Sequence, residues 1–108
     1  MKTRADEIHR LHATVCKALS DPKRILILDT LRRGERSVGE ICEELDLPQT
    51  NISQHLGVLR SKGLVRSRRE AQWVYYSLAS PKVTEAIDLL VDVMEDSTAR
   101  THDSAPLD

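Results

Sequence analysis

Two short amphipathic segments meet at residues 46–48, and this junction constrains the fold more than any other feature of the chain. Apolar side chains recur at helical spacing on both sides of it. They are Val38, Ile41, Cys42 and Leu45 before it, and Ile52, Leu56 and Leu59 after it. Pro48 breaks the helix at the junction. Helices this short are marginal alone, so the pattern predicts two packed helices joined by a tight turn, a helix-turn-helix.

Two more helices are predicted before this pair. The first spans about residues 4–19, with Ile8, Leu11, Val15 and Leu19 on one face. The second begins at Asp21-Pro22 and ends at Gly34, with Ile25, Leu28 and Leu31 as its buried stripe. Ser37 and Glu40 then have the spacing of a capping box at the start of the third helix. We also consider a short strand near residues 36–38.

After Gly63 the apolar period changes from helical to alternating. Residues 64–69 and 73–78 predict a β-hairpin, with Val74, Tyr76 and Leu78 on one face of its second strand. Ser80-Pro81 begins a last helix, about residues 81–96. The order is α-α-α-α-β-β-α, a mostly α fold with a β-hairpin wing, the winged helix-turn-helix. We expect one domain over residues 1–96 and a disordered tail over residues 97–108.

The last helix is too apolar for one buried face. Eight of the fourteen residues from 83 to 96 are apolar, and they cover roughly 200° of the helical wheel, about twice the stripe of a surface helix. We therefore expect a homodimer formed through the first and last helices. The expected interface residues are Ile8, Leu11, Val15, Ile87, Leu90, Val91 and Met94. The alternative is a central helix buried inside the monomer.

The formal net charge of −1 hides a strong segregation of charge. Residues 48–74 carry five basic side chains and one acidic one, whereas residues 75–108 carry two basic and seven acidic ones. No carboxylate occurs in residues 47–69. A basic segment without acids suits a surface that faces a polyanion such as DNA. A solvated basic face without a partner is the alternative from charge alone.

The fourth helix presents short polar side chains where surface helices usually carry Glu and Lys. Its outward positions are Gln49, Thr50, Asn51, Ser53, Gln54 and Gly57. Glutamine can pair with adenine through two hydrogen bonds, and Ser or Thr can bond bases or phosphates. The helix N-terminus also favours a phosphate. The expected partner is therefore double-stranded DNA.

Other classes of protein fit poorly. The chain has no phosphate loop, no nucleophile elbow and no paired acids, and Cys42 with His55 would lack oxyanion donors, so we do not expect an enzyme. No apolar run is long enough to span a membrane. The N-terminal residues do not resemble an export signal, and two cysteines are too few for a disulfide framework. We expect a cytoplasmic protein.

Four motifs resemble the ArsR/SmtB repressors. They are ALSDPKR at residues 18–24, SQHLGVLR at residues 53–60, GLV at residues 63–65 and WVYYSL at residues 73–78. The resemblance spans about residues 11–95 and implies a homodimeric repressor that releases a pseudo-palindromic operator when an inducer binds. It implies that Gln49, Thr50, Ser53 and Gln54 face the major groove, that Arg68 and Arg69 approach phosphates or the minor groove, and that His55 is a structural or phosphate contact. Asn51 and Arg60 complete the expected DNA-binding set.

The chain departs from that family at its metal sites and at the wing turn. One thiol, Cys42, remains of the Cys-Val-Cys pair on the third helix, and Ser80 and Lys82 stand where the last helix would carry Asp and His. The resemblance therefore implies that the metal site of the last helix is absent. The wing turn also lacks its usual glycine, which leaves its geometry open.

A sensor, if present, would use the two thiols. His9, His12 and Cys16 fall at i, i+3 and i+7 on the first helix. With Cys42 they could bind a thiophilic metal or metalloid, or the two thiols could form a regulatory bridge. Both cysteines could instead be buried structural residues, with no cofactor. The alternative functions are a winged-helix protein-interaction module and a constitutive DNA-binding protein without a ligand site.

Overall fold

The computed structural model describes the backbone of residues 1–103 and the side chains of residues 1–97. The helices are α1 (Arg4–Leu11), α2 (Pro22–Thr30), α3 (Val38–Leu45), α4 (Gln49–Ser61) and α5 (Lys82–Asp103). The strands are β1 (Arg36–Ser37), β2 (Val65–Glu70) and β3 (Trp73–Leu78). The predicted winged helix-turn-helix is confirmed. The predicted order did not include β1, but the short strand considered near residues 36–38 is present there, between the second and third helices.

The first helix is interrupted by a π-helical segment. A capping box between Thr3 and Asp6 begins α1, and the helix then passes into a π segment, His12–Cys16, in which the Lys17 amide donates to the His12 carbonyl five residues back. The Lys62 ammonium donates to the Ala13 carbonyl of this segment at 3.2 Å. The first helix is therefore tied to the end of α4.

The helix-turn-helix forms as its sequence signals predict. The Asp21 carboxylate caps α2 through the Lys23 amide at 2.8 Å. Ser37 and Glu40 exchange hydrogen bonds in the predicted capping box of α3. Asp46 ends α3 with φ 53° and ψ 50°, a left-handed conformation that Asp tolerates better than most residues. This turn sets the angle between α3 and α4.

One aliphatic core joins the helices to the base of the hairpin. Its fully buried large side chains are Ile27, Leu28, Leu31, Ile41, Ile52, Leu56 and Leu59. On α2 the structure buries Ile27 where the sequence predicted Ile25, which is half-buried. Val15 and Ile87, both predicted at the dimer interface, are half-buried and pack partly against this core. The core therefore fixes the back of α4 and leaves its other face outward.

The three strands form an antiparallel sheet in the order β1-β3-β2. The register of the hairpin runs from Val65 opposite Leu78 to Glu70 opposite Trp73. β1 pairs only with Tyr75 and Tyr76. Its strand pairing comes only from β3, which is distant in sequence, so β1 exists as a strand because β3 lies beside it. The tip of the wing extends beyond this third strand.

The wing turn closes without glycine. Ala71 takes φ 56°, a region that costs an L-residue roughly 1–2 kcal/mol. The geometry of the wing turn, which the sequence left open, is thus a turn with alanine in the left-handed conformation.

The last helix is longer than predicted. The Ser80 hydroxyl accepts from the Lys82 amide at its start, as expected, but α5 continues to Asp103 rather than ending near residue 96. The expected disordered tail began at residue 97, and its residues 104–108 lie outside the described residues. No helix in the described part of the chain has the length and apolar character to cross a membrane.

Candidate nucleic-acid interface

The outer face of α4 is polar, uncharged and open to solvent. Gln49, Thr50, Ser53, Gln54 and Gly57 are exposed there, and we call these five residues the reading face. Ile52, Leu56 and Leu59 are fully buried on the opposite side. Because the buried side is locked into the core, the reading face has a fixed direction. Arg60 is exposed at the end of the same helix.

The N-terminus of α4 is open to an anion. Side chains cap α1, α2 and α3, whereas Pro48 precedes α4 and supplies no side-chain hydrogen bond. The first turn of α4 also carries no acidic residue. Amides of a first helical turn that lack a capping side chain can donate to a phosphate, and the helix dipole favours its charge. The reading face therefore begins at a position that suits the DNA backbone.

Asn51, expected on the outer face of α4, and His55, expected as a structural or phosphate contact, both lie partly inside. Asn51 is half-buried, and no donor in the described part of the chain reaches its buried Oδ1. The His55 side chain is only 12% exposed, and its Nδ1 lies 3.3 Å from Arg24 Nη1. The core side of α4 is therefore broader than the predicted stripe, and the DNA contacts expected of Asn51 and His55 stay predictions.

Arg24 organises the back of the interface. Its Nε donates to the Ala18 carbonyl at 2.7 Å and its Nη2 donates to the Lys17 carbonyl at 3.2 Å. These contacts satisfy the end of the first helix, while Asp21 lies 3.9 Å from Arg24 and 3.8 Å from His55. The cluster joins three helices behind the reading face. Sequence reasoning missed Arg24, although it lies in the motif at residues 18–24.

The arginines of the wing differ in their surroundings. Arg68 forms two hydrogen bonds with Glu35, at 2.7 and 3.1 Å, and the Arg68 guanidinium lowers the pKa of the Glu35 carboxyl below its usual value. Arg69 is exposed. Glu35 was not among the predicted site residues, because nothing near it in sequence indicates its partner on β2.

An apolar surface of α1 and α5 faces solvent in the single chain. Leu90 and Met94 are 59% and 61% exposed, and Ile8, Leu11 and Val91 are also exposed. The alternative of a last helix buried within the monomer is therefore wrong. At the start of α5, the Asp88 carboxylate receives two hydrogen bonds from Arg32, at 2.8 and 2.9 Å. These bonds add to the packing of Val83 and Ile87 in holding the start of α5 against the domain.

The expected sensor residues are not gathered into a metal site. Cys16, His9 and His12 are exposed, and Cys42 is half-buried against the core. Among the described residues, no three His, Cys, Asp or Glu side chains come together to hold a metal ion. The predicted stripe of His9, His12 and Cys16 assumed α-helical spacing throughout, and the π segment changes the position of Cys16 around the helix.

Comparison with known proteins adds three relatives. Residues 21–67 match the model of the bacterial regulatory protein family arsR. The chain is 43% identical to the biofilm growth-associated repressor of Agrobacterium fabrum over 83% of this chain and 74% of the relative. It is 47% identical to the transcriptional activator HlyU of Vibrio cholerae over 68% of each. A solution structure of a homodimeric winged helix-turn-helix DNA-binding domain from Mycobacterium bovis matches 97% of this chain and 96% of that one, at 34% identity and a TM-score of 0.74.

Proposed function

The chain belongs to the ArsR family of bacterial regulatory proteins, and on this premise we propose that it represses transcription as a homodimer bound to a pseudo-palindromic operator. It is a transcriptional regulator with a winged helix-turn-helix DNA-binding domain. The observation that carries the proposal is the reading face, since its amides and hydroxyls are free to meet base edges. Exposed Arg60 and Arg69 would add phosphate contacts.

The dimer is proposed from the apolar surface of α1 and α5. Side chains such as Leu90 and Met94 expose most of their area, and contiguous apolar surface of this kind usually marks an interface. A two-fold axis through α5 would present two copies of α4 to the DNA. Two reading helices match half-sites about one helical turn apart, roughly 34–36 Å.

Selection of bound duplexes from a random pool tests the proposed function. Wild-type protein should enrich an inverted repeat whose half-sites are separated by about 10 base pairs. A single non-repeated motif would contradict the dimeric arrangement. Failure to enrich any sequence, together with salt-insensitive binding, would favour the protein-interaction module.

For regulation, we propose that release from DNA acts through a thiol, with Cys16 as the accessible one. A reactive cysteine requires exposure, which supports Cys16 more than half-buried Cys42. The expected result is that arsenite, cadmium, peroxide or persulfide releases wild-type protein from the selected duplex and that Cys16→Ser resists the active reagent. Cys42→Ser is the matched control. Equal responses of all three proteins would contradict thiol sensing and favour a regulator without a thiol-based ligand site.

A further inference from the structure

The Arg68 side chain lies across the outer face of the sheet. It starts on β2, passes over the Tyr75 ring of β3 with its Cζ 4.8 Å from the ring centroid, and reaches Glu35 just before β1. Its Nη2 and Nε donate to the two carboxylate oxygens of Glu35. Its Nη1 also lies 3.6 Å from Glu70 Oε1. One guanidinium therefore joins β2 and β3 to the residue that precedes β1.

Arg68 and Arg69 lie on opposite faces of the wing and differ in their charged neighbours. Successive strand residues alternate between faces, so Arg68 and Glu70 share one face while Arg69 lies on the other. The cluster of Glu35, Arg68 and Glu70 holds two carboxylates and one guanidinium, a net charge of −1. A phosphate brought to Arg68 would meet both carboxylates. Within the part of the chain that the structure describes, no hydrogen bond or ion pair engages Arg69.

The wing needs an anchor because its tip is two-stranded. β1 pairs only with Tyr75 and Tyr76, so residues 69–74 extend beyond the third strand. A two-stranded hairpin is marginal alone. Arg68 lies opposite Tyr75, the last residue towards the tip that pairs with β1, and its side chain reaches back to Glu35 just before β1. The contact therefore holds β2 at the level where the three-stranded pairing stops and the two-stranded tip begins.

We propose that Arg68 is a positioning residue that holds the wing against Glu35, and that Arg69 is the wing side chain that contacts DNA phosphates. This proposal rests on the proposed function and replaces the expectation that both arginines approach the DNA. Arg68 acts through its fork geometry and its stacking on Tyr75, which a lysine cannot reproduce. Arg69 acts through its charge, which a lysine can supply.

Charge-conserving variants separate the two roles. Affinity is measured over a series of salt concentrations for wild type, Arg68→Lys, Glu35→Asp, Arg69→Lys and Arg69→Gln, on the duplex selected by wild type and on a mixed-sequence duplex of equal length. Arg66→Gln is the control, because Arg66 shares the face of Arg68 but lies nearer the base of the hairpin. Thermal unfolding confirms that each variant is folded.

We expect Arg68→Lys and Glu35→Asp to weaken binding to the selected duplex several-fold and by similar factors, with the salt slope unchanged. Combining them should add little, since each breaks the same contact. Arg69→Gln should lower the slope of log K against log salt by about 1.8, which is about 0.9 for each wing of the dimer. Arg69→Lys should keep the wild-type slope, and Arg66→Gln should keep both slope and sequence preference.

Two results would overturn the proposal. The first is wild-type binding by Arg68→Lys, which would show that charge alone matters at this position. The second is an unchanged salt slope in Arg69→Gln. If wild type binds neither duplex, the proposed function fails instead.

The positioning role is also tested without DNA. Trp73 is the only tryptophan in the chain and lies at the wing tip, so its fluorescence anisotropy reports the order of the tip. Anisotropy should fall in Arg68→Lys and Glu35→Asp and stay at the wild-type value in Arg69→Gln. Unchanged anisotropy in the first two variants would contradict positioning.

Discussion

Gln49 and Gln54 present the amide groups of the reading face. Replacing either by alanine should cost about 1–3 kcal/mol of binding free energy on the selected duplex, because a bidentate contact to a base is lost. The variant should also accept substitutions at particular base pairs that wild type rejects. Binding of each variant to single-substitution duplexes measures both effects.

Gln72→Ala is the matched control for these variants. Gln72 is exposed in the wing turn, away from the reading face, and its loss should leave sequence preference unchanged. A double variant at Gln49 and Gln54 with wild-type affinity and preference would show that the reading face is placed on the wrong residues.

Helical spacing correctly predicts the exposure of a side chain on α4 only where no other element of the fold lies beside it. Gln49, Ser53 and Gln54 are exposed as their spacing indicated. Asn51 and His55 lie at the boundary of the buried side, and their surroundings depend on other elements. His55, for example, contacts the Arg24 guanidinium, which belongs to α2. The spacing of residues within α4 carries no information about this neighbour.

The contact between Arg32 and Asp88 joins the turn that follows α2 to α5. The Arg32 hydrogen bonds lower the pKa of the Asp88 carboxyl below its ordinary 3.8. The folded protein therefore favours the ionised carboxylate, so its contribution to stability is present above about pH 3.8 and is lost as the pH falls through the lowered pKa. Asp88→Asn should thus unfold more readily than wild type at pH 7, and the difference should shrink towards pH 3. Urea unfolding across this pH range measures it.

Asp29→Asn controls for the loss of a carboxylate beside Arg32. Asp29 also pairs with Arg32 but lies three residues before it in the chain, so its removal leaves α5 attached. It should destabilise the protein less than Asp88→Asn does. A difference between Asp88→Asn and wild type that stays constant from pH 7 to pH 3 would contradict the linkage.

Helices and strands were predictable where local signals decide them. The capping box of α3, Pro22 at the start of α2 and the alternation in β3 each give the observed element. β1 was left open because two residues carry too little pattern and depend on the distant β3. The π segment was missed because its apolar residues also fit α-helical spacing. The end of α5 was placed early because the polar residues after 96 carry no apolar stripe.

The whole molecule is proposed to be a dimer, and Leu90 is one of the exposed apolar side chains of the surface that would form it. Leu90→Glu would bury a carboxylate in an apolar interface, which is costly without a partner charge. Sedimentation should show monomers, and binding to the selected duplex should fall because two half-sites are no longer bound together. Circular dichroism should show that the helices remain.

Leu26→Glu is the control for this variant. Leu26 is 49% exposed on α2, outside the proposed interface, so its replacement should leave the dimer intact. A Leu90→Glu protein that remains dimeric would exclude this surface as the interface. The excess of apolar residues in the last helix could be read from the sequence. That Val15 and Ile87 pack partly against the core of their own chain could not, because it depends on tertiary packing.

The π segment at residues 12–16 changes the helical phase of the first helix. A π turn holds more residues than an α turn, so everything before it is rotated relative to everything after it. Val15 can thus face its own core while Ile8 and Leu11 point elsewhere. Removing one residue here would convert the segment to α-helix and rotate α1 by about 100° about the helix axis relative to the residues that follow. Two related proteins that differ by one inserted or deleted residue in this segment would therefore differ in which chains they can form dimers with. Their residues on α4 and the wing could still be identical.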